Sequence, residues 1–297
     1  MPLNGLVVPI VTLFGEQGKL DLTRNTRFVR GLIDDGVHHL LSLGVPGEPS
    51  SLSETEREQL LEKVVESCTF GTDVWAGIDG VTTEEAVARA DTAEAVGASV
   101  LVAFPPHGAR VEPSHVLERF RAIHSSSKLS LVAYRVPGQG GELLSPAVVH
   151  TLAKEGVLEG VIDASGDLTS PFQLLESAPA GFTVFGGDGD DSVEALEKGA
   201  LGVAWETGNI LPRLSSKIWE LWERHETEKL RTLLPLERLL LDASRAAPRP
   251  ASIKFLAHDL READEGYRAP HGALTEEQRA KVLAMVEPRK AELQEYA

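Results

Sequence analysis

Short apolar runs alternate with longer, helix-periodic polar segments along most of the chain. In four places a helix-periodic segment ends at a glycine and an apolar run follows directly, at Gly36, Gly97, Gly156 and Gly199. Glycine adopts the left-handed conformation that closes a helix at its C-terminus. The apolar runs are rich in Val, Leu and Ile and too short for helices, which predicts buried parallel strands. The repeated order of helix, glycine and strand is typical of stacked βαβ units.

The same pattern predicts eight strands and eight helices within the first 225 residues. The strands are predicted to begin near residues 6, 37, 74, 99, 129, 158, 182 and 201, with helices at 21–35, 54–69, 83–96, 114–125, 145–154, 168–178, 190–198 and 212–225. Ser53 and Glu56 have the spacing of a capping box. We therefore predict an α/β fold, a (β/α)8 TIM barrel over residues 1–225, with a C-terminal extension of about three helices, residues 226–297, packed on it. No G-x-G-x-x-G follows the first strand, which disfavours a doubly wound sheet.

Composition narrows the class of function. The chain carries 45 acidic and 29 basic residues, a formal net charge of −16, which argues against nucleic acid and anionic membranes as partners. The single cysteine, Cys68, excludes an intrachain disulfide and favours a reducing compartment. No secretory signal or apolar run of transmembrane length is recognisable. These features predict a cytoplasmic protein with a small-molecule ligand and neither a metal nor another cofactor.

Several short motifs occur in order along the chain. They are G-x-x-x-P-x-V-T-x-F at 5–14, G-V-P-G-E at 44–48, Y-R-V-P at 134–137, G-V-I-D-A-S-G-D at 160–167, G-G-D-G at 186–189 and G-V-A-W-E-T-G-N at 202–209. Together they resemble the dihydrodipicolinate synthase and N-acetylneuraminate lyase family over nearly the whole chain. The resemblance implies a class I aldolase, in which a lysine on strand 6 condenses with pyruvate or another 2-keto acid and the protonated imine accepts electrons. It also implies a proton-relaying tyrosine on strand 5 and a homo-oligomer, a dimer or a tetramer.

The sequence departs from this family pattern where the chemistry takes place. The position of the Schiff-base lysine holds Ile162, and the two loop threonines are replaced by Val45 and Pro46. Gln139 stands at the family's carboxylate-binding arginine, and His107 at a tyrosine of the synthases. An aliphatic side chain cannot form an imine, so we predict that the family's Schiff-base mechanism is lost. The more apolar side chains also predict a less polar ligand.

The candidate catalytic residue is Tyr134, which would act as a proton donor. The alternative interpretation is a structural tyrosine that packs at the mouth of the barrel and forms one hydrogen bond. The candidate substrate-binding residues are Gly44, Val45, Pro46, His107, Arg135, Gln139, Ile162, Gly187 and Glu206. Arg135 has two interpretations, carboxylate binding or an ion pair with a local acid, and Glu206 is either a base or an exposed rim charge. Three functions stay open: a lyase of the family type, an enzyme with different acid–base chemistry, and a non-catalytic ligand-binding or regulatory barrel.

Overall fold

The structure is a computed structural model that describes residues 3–106, 111–136, 138, 140–166, 169–188 and 190–297. Eight parallel strands follow one another in chain order around a closed barrel. They are β1 (Gly5–Pro9), β2 (His39–Ser42), β3 (Asp73–Ile78), β4 (Val100–Ala103), β5 (Ser130–Arg135), β6 (Gly160–Asp163), β7 (Thr183–Gly186) and β8 (Gly202–Ala204). The predicted fold class is confirmed, and each strand begins within two residues of its predicted position.

A helix follows each strand, and further helices complete the chain. They are α1 (Leu22–Asp34), α2 (Glu54–Ser67), α3 (Thr83–Val96), α4 (Pro113–Ser126), α5 (Pro146–Lys154), α6 (Thr169–Ser177), α7 (Asp190–Glu197), α8 (Pro212–Glu223), α9 (Thr227–Arg245), α10 (Ala251–Arg261), α11 (Glu276–Val286) and α12 (Lys290–Gln294). After residue 225 there are four α-helices rather than about three, because α12 spans only five residues and is too short for its periodicity to be read. Of the described helices, none is long and apolar enough to cross a membrane.

The predicted helix ends have the expected local chemistry. Ser53 and Glu56 form both hydrogen bonds of a capping box at the start of α2. Gly36, Gly97 and Gly156 have φ angles of 92°, 93° and 72°, so each occupies the left-handed region that a side chain disfavours. Each of these glycines therefore ends its helix and turns the chain into the next strand.

The chain forms two compact units. The first includes Asp73–Ala204 and thus β3 to β8. In its core the rings of Trp75 and Phe185 meet edge to face, with centroids 5.3 Å apart. Arg119 of α4 is fully buried in the same unit, and its guanidinium donates to the carbonyls of Gly80 and Phe104 at 3.0 and 3.2 Å. Burial lowers the pKa of Arg119, and the negative charge of Asp79 opposes that change.

The second unit comprises Leu6–Thr72 and Trp205–Ala297. Asn209 organises the loops at the ends of β1 and β8: its amide nitrogen donates to the Pro9 carbonyl at 2.8 Å and its oxygen accepts from the Val11 N–H at 3.0 Å. Asn25 of α1 forms the equivalent pair of bonds with Leu13, at 3.0 and 2.7 Å. Two buried amides thus satisfy backbone groups of Pro9, Val11 and Leu13 at and after the end of β1.

Candidate functional site

Ile162 faces the interior of the barrel. In the sheet register Ile162 lies between Tyr134 of β5 and Phe185 of β7. Register partners on neighbouring strands project to the same face, and Phe185 meets Trp75 inside the first unit. Ile162 is 0% exposed. The position that the resemblance assigns to the lysine therefore holds a buried branched alkane.

Tyr134 supplies the one hydroxyl beside Ile162 in this row of strand residues. Its ring packs on Phe104 with centroids 5.2 Å apart, and only 2% of the residue is exposed. No lysine occurs in any of the eight strands, all of which lie in the described part of the chain. The strand neighbours of Ile162 are therefore two aromatic residues, one of which carries a phenol hydroxyl, and no strand supplies an amine.

Arg135 and Asp163 lie one residue further along the same two strands and point to the opposite face. The Arg135 Nη1 atom is 2.9 Å from Asp163 Oδ2 and 3.0 Å from Ser165 Oγ, and Nε donates to the Gly141 carbonyl at 3.3 Å. Asp163 Oδ1 accepts from the Ser165 N–H at 3.0 Å. The Asp163 side chain is 1% exposed. In the structure Arg135 forms an ion pair with a local acid, which is one of the two interpretations of this residue; the other is binding of a ligand carboxylate.

Gly187 permits a close approach between the segments that follow β6 and β7. Its N–H donates to the Asp163 carbonyl at 2.9 Å. A Cβ atom at this position would lie 2.6 Å from the α-carbon of Ala164, closer than any side chain allows. Gly187 therefore acts through its backbone. The other predicted positions next to this unit's strands, His107 and Gln139, lie outside the described residues.

The predicted loop after β2 belongs to the second unit. Gly44 precedes a 3-10 turn at Val45–Gly47, and Glu48 follows it in the left-handed region with φ 53°. The Thr12 hydroxyl donates to the Gly47 carbonyl at 2.6 Å. Pro46 is buried and Val45 is half-buried. The two positions of the family's threonines therefore hold apolar side chains, one half-buried and one buried.

A buried ion pair supports this loop. Lys254 Nζ of α10 is 2.5 Å from Glu48 Oε1, and the two side chains are 0% and 1% exposed. Nζ also donates to the Gly266 carbonyl at 2.9 Å and lies 5.1 Å above the ring of Phe14. Burial lowers the pKa of Lys254, whereas Glu48 opposes that change. Sequence reasoning missed this lysine, although it carries one signal, since it interrupts the apolar run A-S-I-K-F-L-A at 251–257.

Glu206, a predicted site residue, forms an ion pair. Its Oε2 atom is 2.8 Å from Arg249 Nη1, and its side chain is 12% exposed. Burial raises the pKa of Glu206, and Arg249 and Arg245 lower it. Of the two interpretations of Glu206, a base or an exposed rim charge, both have to include its pairing with Arg249, which leaves the carboxylate largely covered. Within the described part of the chain, no group of three His, Cys, Asp or Glu residues could hold a metal ion.

Glu237 of α9 is a second buried acid that the sequence did not single out. Its carboxylate accepts hydrogen bonds from the Thr207 hydroxyl and from the Ser215 hydroxyl, the latter at 3.3 Å. Burial raises its pKa to about 7, and the two hydroxyls lower it. Since 8% of the residue is exposed and neither partner is charged, this carboxylate changes protonation near neutral pH.

Comparisons with known proteins agree with the motifs. The profile of the Dihydrodipicolinate synthetase family matches residues 2–289. The 4-hydroxy-tetrahydrodipicolinate synthase of Acidiphilium cryptum is 29% identical over 284 residues, covering 95% of this chain and 96% of the relative. An uncharacterized DapA-like lyase of Halobacterium salinarum is 28% identical and covers 95% and 92%. A crystal structure of dihydrodipicolinate synthase superimposes with a TM-score of 0.90 at 25% identity, covering 98% of this chain and all of the other.

Proposed function

Because the chain belongs to the dihydrodipicolinate synthetase family, we propose that it binds a small 2-oxo acid or a related carbonyl compound without condensing with it. The observation that carries the proposal is the buried isoleucine at position 162, beside Tyr134. The chain acts as a ligand-binding member of a lyase family, in the cytoplasm and as a homo-oligomer. The relatives' names as synthases and lyases support the class of ligand.

The loss of imine chemistry follows from what the reaction requires. An imine forms when an unprotonated primary amine attacks a carbonyl carbon, and the resulting cation then accepts electrons from the bond being broken. Ile162 has no lone pair to donate. Lys254 has an amine, but its nitrogen is 2.5 Å from a carboxylate and 0% of its side chain is exposed. A bound carbonyl compound therefore keeps its C=O group, and carbon–carbon bond formation loses its electron sink.

The side chains around position 162 favour an apolar tail on the ligand. Phe104, Tyr134, Ile162 and Phe185 are all buried, and their only polar atom is the tyrosine hydroxyl. Each additional buried methylene contributes about 0.8 kcal/mol, so 2-oxohexanoate should bind more tightly than pyruvate. In this arrangement Tyr134 donates a hydrogen bond to the ligand's carbonyl oxygen.

Ligand-detected NMR tests the proposal with pyruvate, 2-oxobutyrate and 2-oxohexanoate. We expect affinity to rise along this series and to fall about tenfold in Tyr134→Phe, which removes one hydrogen bond to the ligand. Tyr296→Phe, near the end of the chain, is the matched control and should bind as the wild type does. Binding of none of the three compounds would refute the ligand class, and Tyr134-dependent consumption of a ligand would instead establish an enzyme with different acid–base chemistry.

A further inference from the structure

The segment after α10 binds two loops of the second unit. Arg268 donates to the carbonyls of Gly18 and Ser51, at 2.5 and 2.7 Å, and pairs with both carboxylate oxygens of Glu56 at 2.5 and 2.9 Å. Hydrogen bonds from Arg268, and to a smaller extent from Ser53, lower the pKa of Glu56 to about 2. A side chain at Gly266 would overlap the backbone of Phe14. Residues 265–268, called here the strap, therefore contact Phe14 and Gly18 in the loop after β1 and Ser51 near the end of the loop after β2.

Lys254 joins the strap to the middle of the loop after β2. One ammonium group donates to the Glu48 carboxylate and to the strap's Gly266 carbonyl, at 2.5 and 2.9 Å. The rings of Phe14 and Tyr267 lie 5.1 and 5.4 Å from the same nitrogen, at distances that stabilise a cation. Four chain segments thus meet at one buried charge.

Glu48 combines this ion pair with an unusual backbone conformation. It has φ 53°, a left-handed angle that a non-glycine residue keeps only where its surroundings enforce it. Its Oε2 atom is buried and has no hydrogen-bond partner in the described part of the chain. Without the ammonium, Glu48 would be an unpaired buried carboxylate on a strained backbone, and reorganisation of the loop would bring it to water.

We propose that Lys254 is a positioning residue that sets the conformation of the loop at residues 44–51 from the C-terminal helices. The functional part of this inference rests on the proposed function, since it takes Gly44, Val45 and Pro46 to contact the ligand. Lys254 acts through Glu48 and touches no ligand itself.

Hydrogen exchange with mass spectrometry tests the positioning role independently of any ligand. In Lys254→Met we expect exchange at residues 44–51 and 265–268 to rise at least about tenfold, as local opening becomes easier. The double variant Glu48→Gln/Lys254→Met removes both charges and should return the loop to within about threefold of the wild-type rate. Arg119→Met, which removes a buried cation from the first unit, is the matched control for general destabilisation.

The inference is overturned if Arg119→Met speeds hydrogen exchange at residues 44–51 as much as Lys254→Met does. It is also overturned if exchange in the double variant stays as fast as in Lys254→Met. If Lys254→Met does not fold, Glu48→Gln alone should speed hydrogen exchange at residues 44–51, because an amide forms a weaker hydrogen bond with the ammonium than a carboxylate does. A second arm measures 2-oxohexanoate binding, which should weaken about tenfold in Lys254→Met and recover in the double variant. If the wild type binds no 2-oxo acid, the proposed function fails, while exchange still decides the role of Lys254.

Discussion

Ile162 and Lys254 are both buried, but the groups around them differ in polarity. Ile162 in the first unit is buried between the aromatic strand neighbours Tyr134 and Phe185. Lys254 in the second unit has a carboxylate, a backbone carbonyl and two aromatic rings around its nitrogen. An aliphatic residue needs only packing to be buried. A buried amine persists only where several partners stabilise its charge.

The largest expected effect is on stability, from breaking the buried pair. Lys254→Met leaves the Glu48 carboxylate without its cation and should lower the free energy of unfolding by about 3–5 kcal/mol. Urea unfolding followed by circular dichroism measures this change. Glu48→Gln/Lys254→Met should recover most of the loss, and a double variant as unstable as the single one would mean that packing, not charge, accounts for the effect.

A second prediction concerns the pH dependence of stability, which a buried carboxyl group with no cationic partner among the described residues, that of Glu237, should produce. Glu237 has a pKa of about 7 in the folded chain against an ordinary 4.5. Between these values the folded chain holds a proton that the unfolded chain has released, so stability falls by about 3 kcal/mol as pH rises through this window and then levels off. Glu237→Gln should remove most of this dependence in unfolding experiments between pH 4.5 and 8.

The exposed Glu228 on the same helix provides the control for this pH series. Its side chain is 94% exposed, and Glu228→Gln should keep the wild-type pH dependence. An unchanged pH dependence in Glu237→Gln would show that other groups produce it, and that the Thr207 and Ser215 hydroxyls stabilise the charged carboxylate.

The smallest of the three effects separates the two interpretations of Arg135. Arg135→Met leaves Asp163 buried without its guanidinium partner and should cost about 2 kcal/mol of stability. Affinity for 2-oxohexanoate should stay within about twofold of the wild type, because the guanidinium is already paired with Asp163. A large loss of affinity with little change in stability would instead assign Arg135 to carboxylate binding.

Local sequence patterns predicted most of the fold but only part of the candidate site. Glycines such as Gly36 and Gly97 marked the helix ends because their conformation is set by neighbouring residues. The pairing of Arg135 with Asp163 follows from the register of two adjacent strands. Lys254 and Glu48 are 206 positions apart, and no local periodicity indicates that they meet. Whether a polar side chain is buried depends on partners that are distant in sequence. The local sequence therefore does not predict which groups surround it.

The most direct test of the central claim is reduction with borohydride in the presence of pyruvate or 2-oxohexanoate, followed by intact-mass measurement. We predict that the wild-type chain keeps its unmodified mass with both compounds. Ile162→Lys, which restores an amine beside Tyr134, should gain one adduct that peptide mapping locates at residue 162. A stoichiometric adduct on the wild-type chain, at Lys254 or at any other lysine, would contradict the claim that this chain binds its ligand without forming an imine.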